Sequence, residues 1–127
     1  MPVIAFDHVN IRTANLEAMI AWYVEILGLA PGRRPEFRFP GAWLYFGDQA
    51  LVHLVGVEAA PKAGGNITLE HFALRATGLN DFLKHLMDRD VRHSIDPVPG
   101  IPVVQVNLHD PDGNHIHVDF NAVEHTT

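Results

Sequence analysis

The stretch Asp110-Pro111-Asp112-Gly113-Asn114-His115-Ile116-His117-Val118-Asp119-Phe120 joins a strong turn signal to a strictly alternating strand. In the turn, proline presets its own φ, glycine accepts a positive φ, and aspartate and asparagine hydrogen-bond to nearby backbone. The alternation places His115, His117 and Asp119 on one strand face and three apolar side chains on the other. Taken alone, this pattern is more typical of an edge strand with one face exposed to solvent than of a binding site. The rest of the chain changes that interpretation.

The two halves of the chain repeat one another. A displacement of 63 positions aligns Asp7-His8-Val9-Asn10-Ile11-Arg12 with Glu70-His71-Phe72-Ala73-Leu74-Arg75, and one of 64 aligns Ala50-Leu51-Val52-His53-Leu54 with Asn114-His115-Ile116-His117-Val118. Such self-similarity indicates two copies of one supersecondary unit. The sequence therefore predicts an α+β fold of two modules, at about residues 3–57 and 67–121, joined by a linker over 58–66 within a single domain.

Hydrophobic periodicity predicts strand, helix and three strands in each module. Asn15 is expected to cap a helix that runs to about Leu27 and stops at Gly28, and a second helix is expected over residues 79–88. The predicted strands cover residues 3–13, 35–39, 42–46 and 50–57 in the first module, and 69–76, 91–95, 102–108 and 115–120 in the second.

Histidine is the unusual residue type, with nine copies in 127 residues. Four of the nine occupy two repeat-equivalent pairs, His8 with His71 and His53 with His117, on the strand faces opposite the apolar residues. A lone strand histidine is usually structural, but neutral imidazole is the commonest protein metal ligand. The doubled pattern favours a divalent-metal site over coincidence.

Bulk properties limit the function classes. A formal charge of −6 argues against a nucleic-acid partner, and the absence of cysteine excludes disulfides and thiolate chemistry. The sequence has no apolar run of membrane-spanning length, and its start has no charged-then-apolar leader, so we expect a cytoplasmic protein without a membrane partner.

The repeated stretches resemble the vicinal oxygen chelate superfamily, also called the glyoxalase/bleomycin resistance protein/dioxygenase family. The resemblance covers nearly the whole chain and rests on Asp7–Ile11, Trp22–Gly28, Glu70–Leu74 and the Asp110–Asn114 turn with its strand. It implies βαβββ modules that pair into half-open barrels, with one divalent ion (Zn, Ni, Co, Mn or Fe) bound in the cup.

The same resemblance places the metal ligands at His8, His53, His71 and His117. Family members commonly carry glutamate at the position of His117, and glyoxalase I also at that of His53. Because those glutamates also move the substrate proton, the resemblance implies catalytic roles for His53 and His117. An all-histidine set leaves the charge of the metal uncompensated, which favours Lewis-acid polarisation or enolate-like ligands.

Five further residues are candidate substrate contacts. Arg12 stands where glyoxalase I has an arginine that holds a carboxylate of glutathione, although a solvent-facing strand end explains it equally well. Asn10, Trp43, Tyr45 and Asn107 lie on the same strand faces as the paired histidines. The asparagine-bearing stretch that glyoxalase I has after this strand is absent, since His53 is followed by Leu54-Val55-Gly56-Val57. This difference argues against glutathione as part of the substrate.

The sequence leaves three functions open. The first is a metal-dependent, glyoxalase-type lyase or isomerase that chelates a small substrate through vicinal oxygens and stabilises an enolate or oxyanion. The others are an Fe(II) extradiol-type ring-cleaving dioxygenase and a non-catalytic binding protein of the bleomycin-resistance type. The resemblance also favours a homodimer with shared sites, although the linker length permits module pairing within one chain.

Overall fold

The computed structural model describes residues 2–125 and divides the chain into two compact units, with the boundary between Lys62 and Ala63. The first unit contains β1 (Val9–Thr13), α1 (Leu16–Glu25), β2 (Ala30–Gly32), β3 (Gly41–Phe46) and β4 (Gln49–Gly56). Its sheet has the strand order β1-β4-β3-β2, with β1 parallel to β4 and the other pairs antiparallel.

The second unit contains the same elements in the same order. These are β5 (His71–Arg75), α2 (Leu79–Asp88), β6 (His93–Pro97), β7 (Val103–His109) and β8 (His115–Asn121), followed by a short 3-10 helix, Ala122–Glu124. The strand order is β5-β8-β7-β6, again with one parallel pair, β5 and β8. The predicted α+β class of two βαβββ modules is therefore confirmed.

Strand register confirms the internal repeat residue by residue. In the first unit Val9 pairs with Val52, and in the second the equivalent residues Phe72 and Ile116 pair. Trp43 lies opposite His53, and its repeat partner Asn107 lies opposite His117. A register irregularity between Leu44 and Tyr45 in β3 interrupts the correspondence beyond this point.

Each sheet buries one face. In the first unit Met19 and Tyr23 of α1 are fully buried with Leu44, Val52 and Leu54. In the second, α2 contributes Leu79 and Leu86, and the buried sheet residues are Val104, Val106, Leu108, Ile116, Val118 and Phe120. This apolar burial dominates the stability of each unit and leaves the opposite strand faces to polar side chains.

The turn before β8 has the predicted chemistry. The carboxylate of Asp110 is buried and accepts from the backbone N–H groups of Asp112 (3.0 Å) and Asn114 (2.9 Å) and from the side-chain amide of Asn114 (2.8 Å). Gly113 has φ +90°, where an L side chain would be strained. The turn therefore fixes the entry of the strand that carries His115, His117 and Asp119.

Two strand predictions were wrong in their positions. Residues 35–39 form no strand, and the edge strand of the sheet is β2, at Ala30–Gly32. Phe37 N–H bonds to Pro35 O (2.9 Å), which folds this segment into a tight turn. The first strand begins at Val9 rather than at residue 3, because the side chain of Gln49 bonds to the carbonyls of Phe6 and Asp7 where ladder bonds would otherwise form.

Both helices have ten residues, and among residues 2–125 no helix has the length and apolar character needed to cross a bilayer.

Candidate functional site

In the first unit, His8 and His53 lie side by side on the polar face of the sheet. Their rings are stacked, with centroids 3.8 Å apart and planes within 10°. His8 Nδ1 donates to Asp7 Oδ2 at 2.6 Å, which leaves Nε2 as the available nitrogen. His53 bonds through Nε2 to the carbonyl of Ala50 at 3.0 Å, which leaves Nδ1. Each imidazole therefore keeps one nitrogen for a ligand.

Burial and charge hold His53 in its neutral form. The residue is 8% exposed. Its pKa lies below the ordinary value of 6.5, first because burial disfavours the imidazolium and then because His8 lies next to it. Neutral imidazole is the form that binds metal or accepts a proton.

An open pocket of about 740 Å³ lies beside this pair. Its lining includes Asp7, His8, Trp43, Tyr45, Gln49 and His53. The Trp43 ring stacks on His53, with centroids 4.0 Å apart and planes within 13°. The Tyr45 hydroxyl donates to the carbonyl of Arg33 at 2.5 Å, so its ring is fixed as part of the pocket wall. The pocket combines flat aromatic surface with two imidazoles, as small-molecule sites commonly do.

In the second unit, His71 and His117 form the equivalent pair, with ring centroids 4.4 Å apart. His117 is 6% exposed, and its Nδ1 donates to Asp119 Oδ1 at 2.5 Å. His71 Nδ1 donates to Glu70 Oε1 at 2.8 Å. Both rings therefore leave Nε2 available, and each is oriented by a carboxylate, as metal-binding histidines commonly are.

Glu70 links this pair to His115. Glu70 Oε2 accepts from His115 Nδ1 at 2.6 Å, and the pKa of Glu70 is lowered, first by the bond from His115 and then by that from His71. His115 Nε2 donates to Asn107 Oδ1 (2.8 Å), since the amide nitrogen of Asn107 donates to Asp96 (2.9 Å). The hydrogen bonds to Glu70 and Asn107 therefore use both ring nitrogens of His115 and hold Glu70 in place.

The family model of the Glyoxalase/Bleomycin resistance protein/Dioxygenase superfamily matches residues 5–118. The chain belongs to this superfamily. A curated relative, glyoxylase I 4 of Arabidopsis thaliana, is 31% identical over 121 residues, which cover 90% of this chain and 69% of the relative.

Solved structures of the glyoxalase superfamily share the fold. A glyoxalase family protein from Bacillus anthracis has a TM-score of 0.78 at 23% identity, covering 94% of this chain and 96% of the other. A lactoylglutathione lyase from Agrobacterium tumefaciens has a TM-score of 0.72 at 17% identity, covering 97% and 98%.

Members of the glyoxalase superfamily typically bind a divalent metal, and the donor chemistry here fits one. Two nitrogens on one tetrahedral zinc ion lie about 3.3 Å apart. The ring centroids of the two pairs lie 3.8 Å and 4.4 Å apart. Because the rings of His8 and His53 are stacked, their in-plane nitrogens point along nearly parallel lines, and one ring must turn before both bind the same ion. A second possible donor set, Glu70, His71 and His115, has ligand atoms within 4.8 Å of one another. That set requires His115 to release Glu70 or Asn107.

The remaining candidates lie on the expected strands. Asn10 is opposite His53 in the parallel ladder, and Arg12 is exposed opposite Val55, one residue before the end of β1. Asn107 lies opposite His117, but its amide is used by His115 and Asp96, which suits it to positioning those groups.

Sequence reasoning missed the bridging role of Glu70 and His115. The alternation in β8 had placed His115 on the correct face, but its repeat equivalent is Leu51, so the repeat gave no signal. The hydrogen bond between Glu70 and His115 joins residues 45 positions apart, and only the parallel pairing of β5 with β8 brings them together.

Proposed function

We propose that this glyoxalase-superfamily protein is a divalent-metal-dependent enzyme of the glyoxalase type. It chelates a small substrate through vicinal oxygens and stabilises an enolate or oxyanion, as an isomerase or lyase does. The metal ligands are His8, His53, His71 and His117, with Zn, Ni, Co, Mn or Fe as the bound ion. When bound, that ion supplies Lewis-acid polarisation of substrate oxygens.

One observation carries the proposal. His8, His71 and His117 each donate Nδ1–H to a carboxylate, from Asp7, Glu70 and Asp119 respectively, and keep Nε2 free. This bond fixes the ring tautomer and orientation and raises the basicity of the other nitrogen. A protein that only enclosed an apolar ligand would have no use for three imidazoles prepared in this way.

The residues of the chain supply the proton chemistry. His53 and His117 occupy the positions at which glyoxalase-like enzymes use carboxylates, and both are at least nine-tenths buried. The lowered pKa of His53 favours its neutral imidazole near pH 7. Because Nε2 bonds to the carbonyl of Ala50, His53 would accept a proton from a substrate carbon next to a carbonyl through Nδ1, while that nitrogen is not bound to the metal. Asp119 holds His117 in the orientation needed for the same role.

Substrate binding is assigned to the pocket beside His53. Trp43 and Tyr45 provide flat apolar surface, and Asn10 and Arg12 extend the same strand face with polar groups. In the second unit Asn107 and His115 hold Glu70 and so orient His71. This combination suits a small, oxygenated substrate with a flat or apolar portion.

We also propose that the functional assembly is a homodimer in which a metal site takes one histidine pair from each chain. Each pair by itself offers two imidazoles, whereas zinc sites use three or four protein ligands. A two-fold dimer would then contain two equivalent sites.

Metal analysis tests the central claim. Protein purified without added metal and then stripped with chelator is titrated with Zn²⁺, Ni²⁺, Co²⁺, Mn²⁺ or Fe²⁺ by calorimetry. We expect about one ion per chain, with binding abolished in the quadruple alanine variant of the paired histidines. The variant His85→Ala, His93→Ala, which changes two histidines outside the paired set, should bind as the wild type does. Equal binding by both variants would reject the site.

A chelating probe separates the three functions. Acetohydroxamate offers two adjacent oxygens, and we expect it to bind only the metal-loaded protein. Equal binding to the metal-free protein would instead favour a binding protein of the bleomycin-resistance type. Ring cleavage of catechol by the Fe²⁺ form in the presence of O₂ would favour the dioxygenase.

A further inference from the structure

Arg34 lies in the segment between β2 and β3, against two aromatic rings. Its guanidinium carbon is 4.8 Å from the ring centroid of Phe37 and 5.1 Å from that of Phe39. The two rings are stacked, 5.0 Å apart and within 14° of parallel. This cation–π arrangement fixes the guanidinium in one place instead of leaving it to move in solvent.

Gly41 gives the guanidinium room to lie on the sheet. A Cβ at this position would stand 2.7 Å from Arg34 Nη2 and 2.3 Å from the carbonyl oxygen of Leu54. Any side chain here would displace the arginine. Gly41 and Trp43 are two residues apart in β3 and so share a sheet face, and Trp43 stacks on His53. The guanidinium therefore lies on the same face as the histidine pair.

The hydrogen-bonding capacity of Arg34 is largely unused. Nη2 donates to the carbonyl of Phe39 at 3.1 Å, whereas Nε is buried and has no hydrogen-bond partner. Within residues 2–125 no carboxylate forms an ion pair with this side chain. A guanidinium has five N–H donors and a fixed charge, and a buried unsatisfied donor is costly enough to require an explanation. Nε itself is enclosed, so an anion would bind the Nη1 side of the guanidinium, which makes no hydrogen bond within residues 2–125.

The aromatic rings around Arg34 are themselves accessible. Phe37 and Phe39 are 44% and 43% exposed, which is unusual for large apolar side chains, and Phe37 lies 6.4 Å from the Trp43 ring. The cluster of Arg34, Phe37, Phe39 and Trp43 thus places a cation beside exposed apolar surface. Such a combination is complementary to a molecule with an oxyanion at one end and an apolar group next to it.

We infer that Arg34 binds an oxyanion of the substrate, a carboxylate or a phosphonate, while Phe37, Phe39 and Trp43 contact its apolar part. The planar fork of the guanidinium matches both oxyanions through paired N–H donors. This inference rests on the proposed function only in naming the bound molecule as the substrate, because the anion site itself needs no metal.

Anion binding to metal-free protein tests the inference. Benzoate and phenylphosphonate, which join a phenyl ring to the two oxyanions, are titrated by calorimetry. We expect at least one of them to bind, with affinity at least tenfold lower in Arg34→Met. The control Arg38→Met removes the same charge from an exposed position in the same segment and should stay within twofold of the wild type. The stronger-binding probe identifies the oxyanion.

A second variant guards against a folding effect. Arg34→Lys keeps the charge and most of the stem but lacks the planar fork, and we expect a several-fold loss of affinity with unchanged circular dichroism. Absence of binding to the wild type, or equal binding by Arg34→Met and Arg38→Met, overturns the inference. Metal titration of the same samples is read separately. If anions bind through Arg34 but no metal binds, the proposed metal-dependent activity is wrong and the anion site is supported.

Discussion

At the scale of single residues, the carboxylates beside the histidines determine which ring nitrogen remains free. Asp7, Glu70 and Asp119 each accept from an Nδ1–H, and in each case the imidazole is left with Nε2. Asp119 is the most enclosed of the three, since its partner His117 is buried. Its loss should therefore have the clearest effect on metal binding.

Replacement of Asp119 with asparagine is predicted to weaken metal binding by about 10–100-fold, the usual effect of removing the carboxylate behind a ligating histidine. The change preserves shape, so the fold should persist, but it removes the charge that stabilises the Nδ1–H tautomer of His117. Calorimetric titration with Zn²⁺ measures the effect.

Asp90→Asn is the matched control for that experiment. Asp90 is exposed and has φ +54°, a conformation that asparagine also tolerates, so this variant should bind metal as the wild type does. Unchanged affinity in Asp119→Asn would show that the charge of Asp119 does not contribute to metal binding through His117.

At the level of residues, the repeat predicted the strand register correctly. His53 and His117 occupy equivalent registers because the same displacement relates them in the sequence. Arg34 and the bridge from Glu70 to His115 lack such a signal. Arg34 is placed by aromatic contacts and by the space above Gly41, and these depend on a segment without regular structure. Periodicity describes only elements that repeat, so it could not reveal that contact.

At the scale of elements, both helices and the β3–β4 and β7–β8 hairpins followed from local signals. The expected cap of α1 was wrong, since the side chain of Asn15 makes no cap hydrogen bond and its backbone N–H donates to Thr13 Oγ1. Leu79–Asp88 is a helix with the predicted bounds, and Gly28 has φ +74° just after α1, where a stop was expected. The strand predicted at residues 35–39 was wrong because Phe37 and Phe39 alternate with polar residues, as side chains in a strand do. Their partner is the guanidinium of Arg34 rather than a neighbouring strand, which no local pattern expresses.

The N-terminus of α2 is capped from outside the helix. Glu124 Oε1 accepts from the backbone N–H groups of Gly78 (2.9 Å) and Leu79 (3.1 Å). Glu124→Ala is therefore predicted to lower the free energy of unfolding by about 1–2 kcal/mol, as the loss of a cap does. Urea unfolding measures the change, and Glu36→Ala, at an exposed position, is the control. Equal unfolding midpoints for the two variants would contradict the capping role.

The exposed face of α2 carries a pH-dependent ion pair. Lys84 Nζ donates to Asp88 Oδ2 at 2.7 Å, and this bond lowers the pKa of Asp88 below its ordinary value of 3.8. A carboxyl group whose pKa is lowered by folding stabilises the fold above its unfolded pKa, and this stabilisation is lost as the pH falls through the folded value. The loss of this stabilisation is therefore confined to acidic solution below about pH 4.

Lys84→Met should raise the pKa of Asp88 toward 3.8, as measured by NMR titration of the carboxyl carbon. Little change in thermal stability is expected at pH 7, because exposed pairs contribute little. Lys62→Met makes the same change of net charge elsewhere in the chain and should leave Asp88 unaffected. An equal shift in both variants would attribute the effect to net charge rather than to the bond.

At the scale of the whole molecule, the repeat gives each chain two histidine pairs of similar design. The rings of His8 and His53 are stacked beside a pocket that Trp43 also lines. His71 and His117 donate hydrogen bonds to the carboxylates of Glu70 and Asp119. Neither pair alone meets the ligand number of a zinc site. Metal binding is therefore predicted to require both pairs, and the proposed homodimer takes them from different chains.

Complementation between two defective chains tests this assembly. One variant carries His8→Ala and His53→Ala, and the other carries His71→Ala and His117→Ala, so neither homodimer has an intact site. In a dimer with shared sites, the mixed species regains one site of two, because one chain supplies an intact first pair and the other an intact second pair. Random exchange should then restore about one quarter of the wild-type metal content per chain. Subunit exchange is verified with differently tagged chains. Mixed dimers that form but bind no metal would reject the dimer with shared sites.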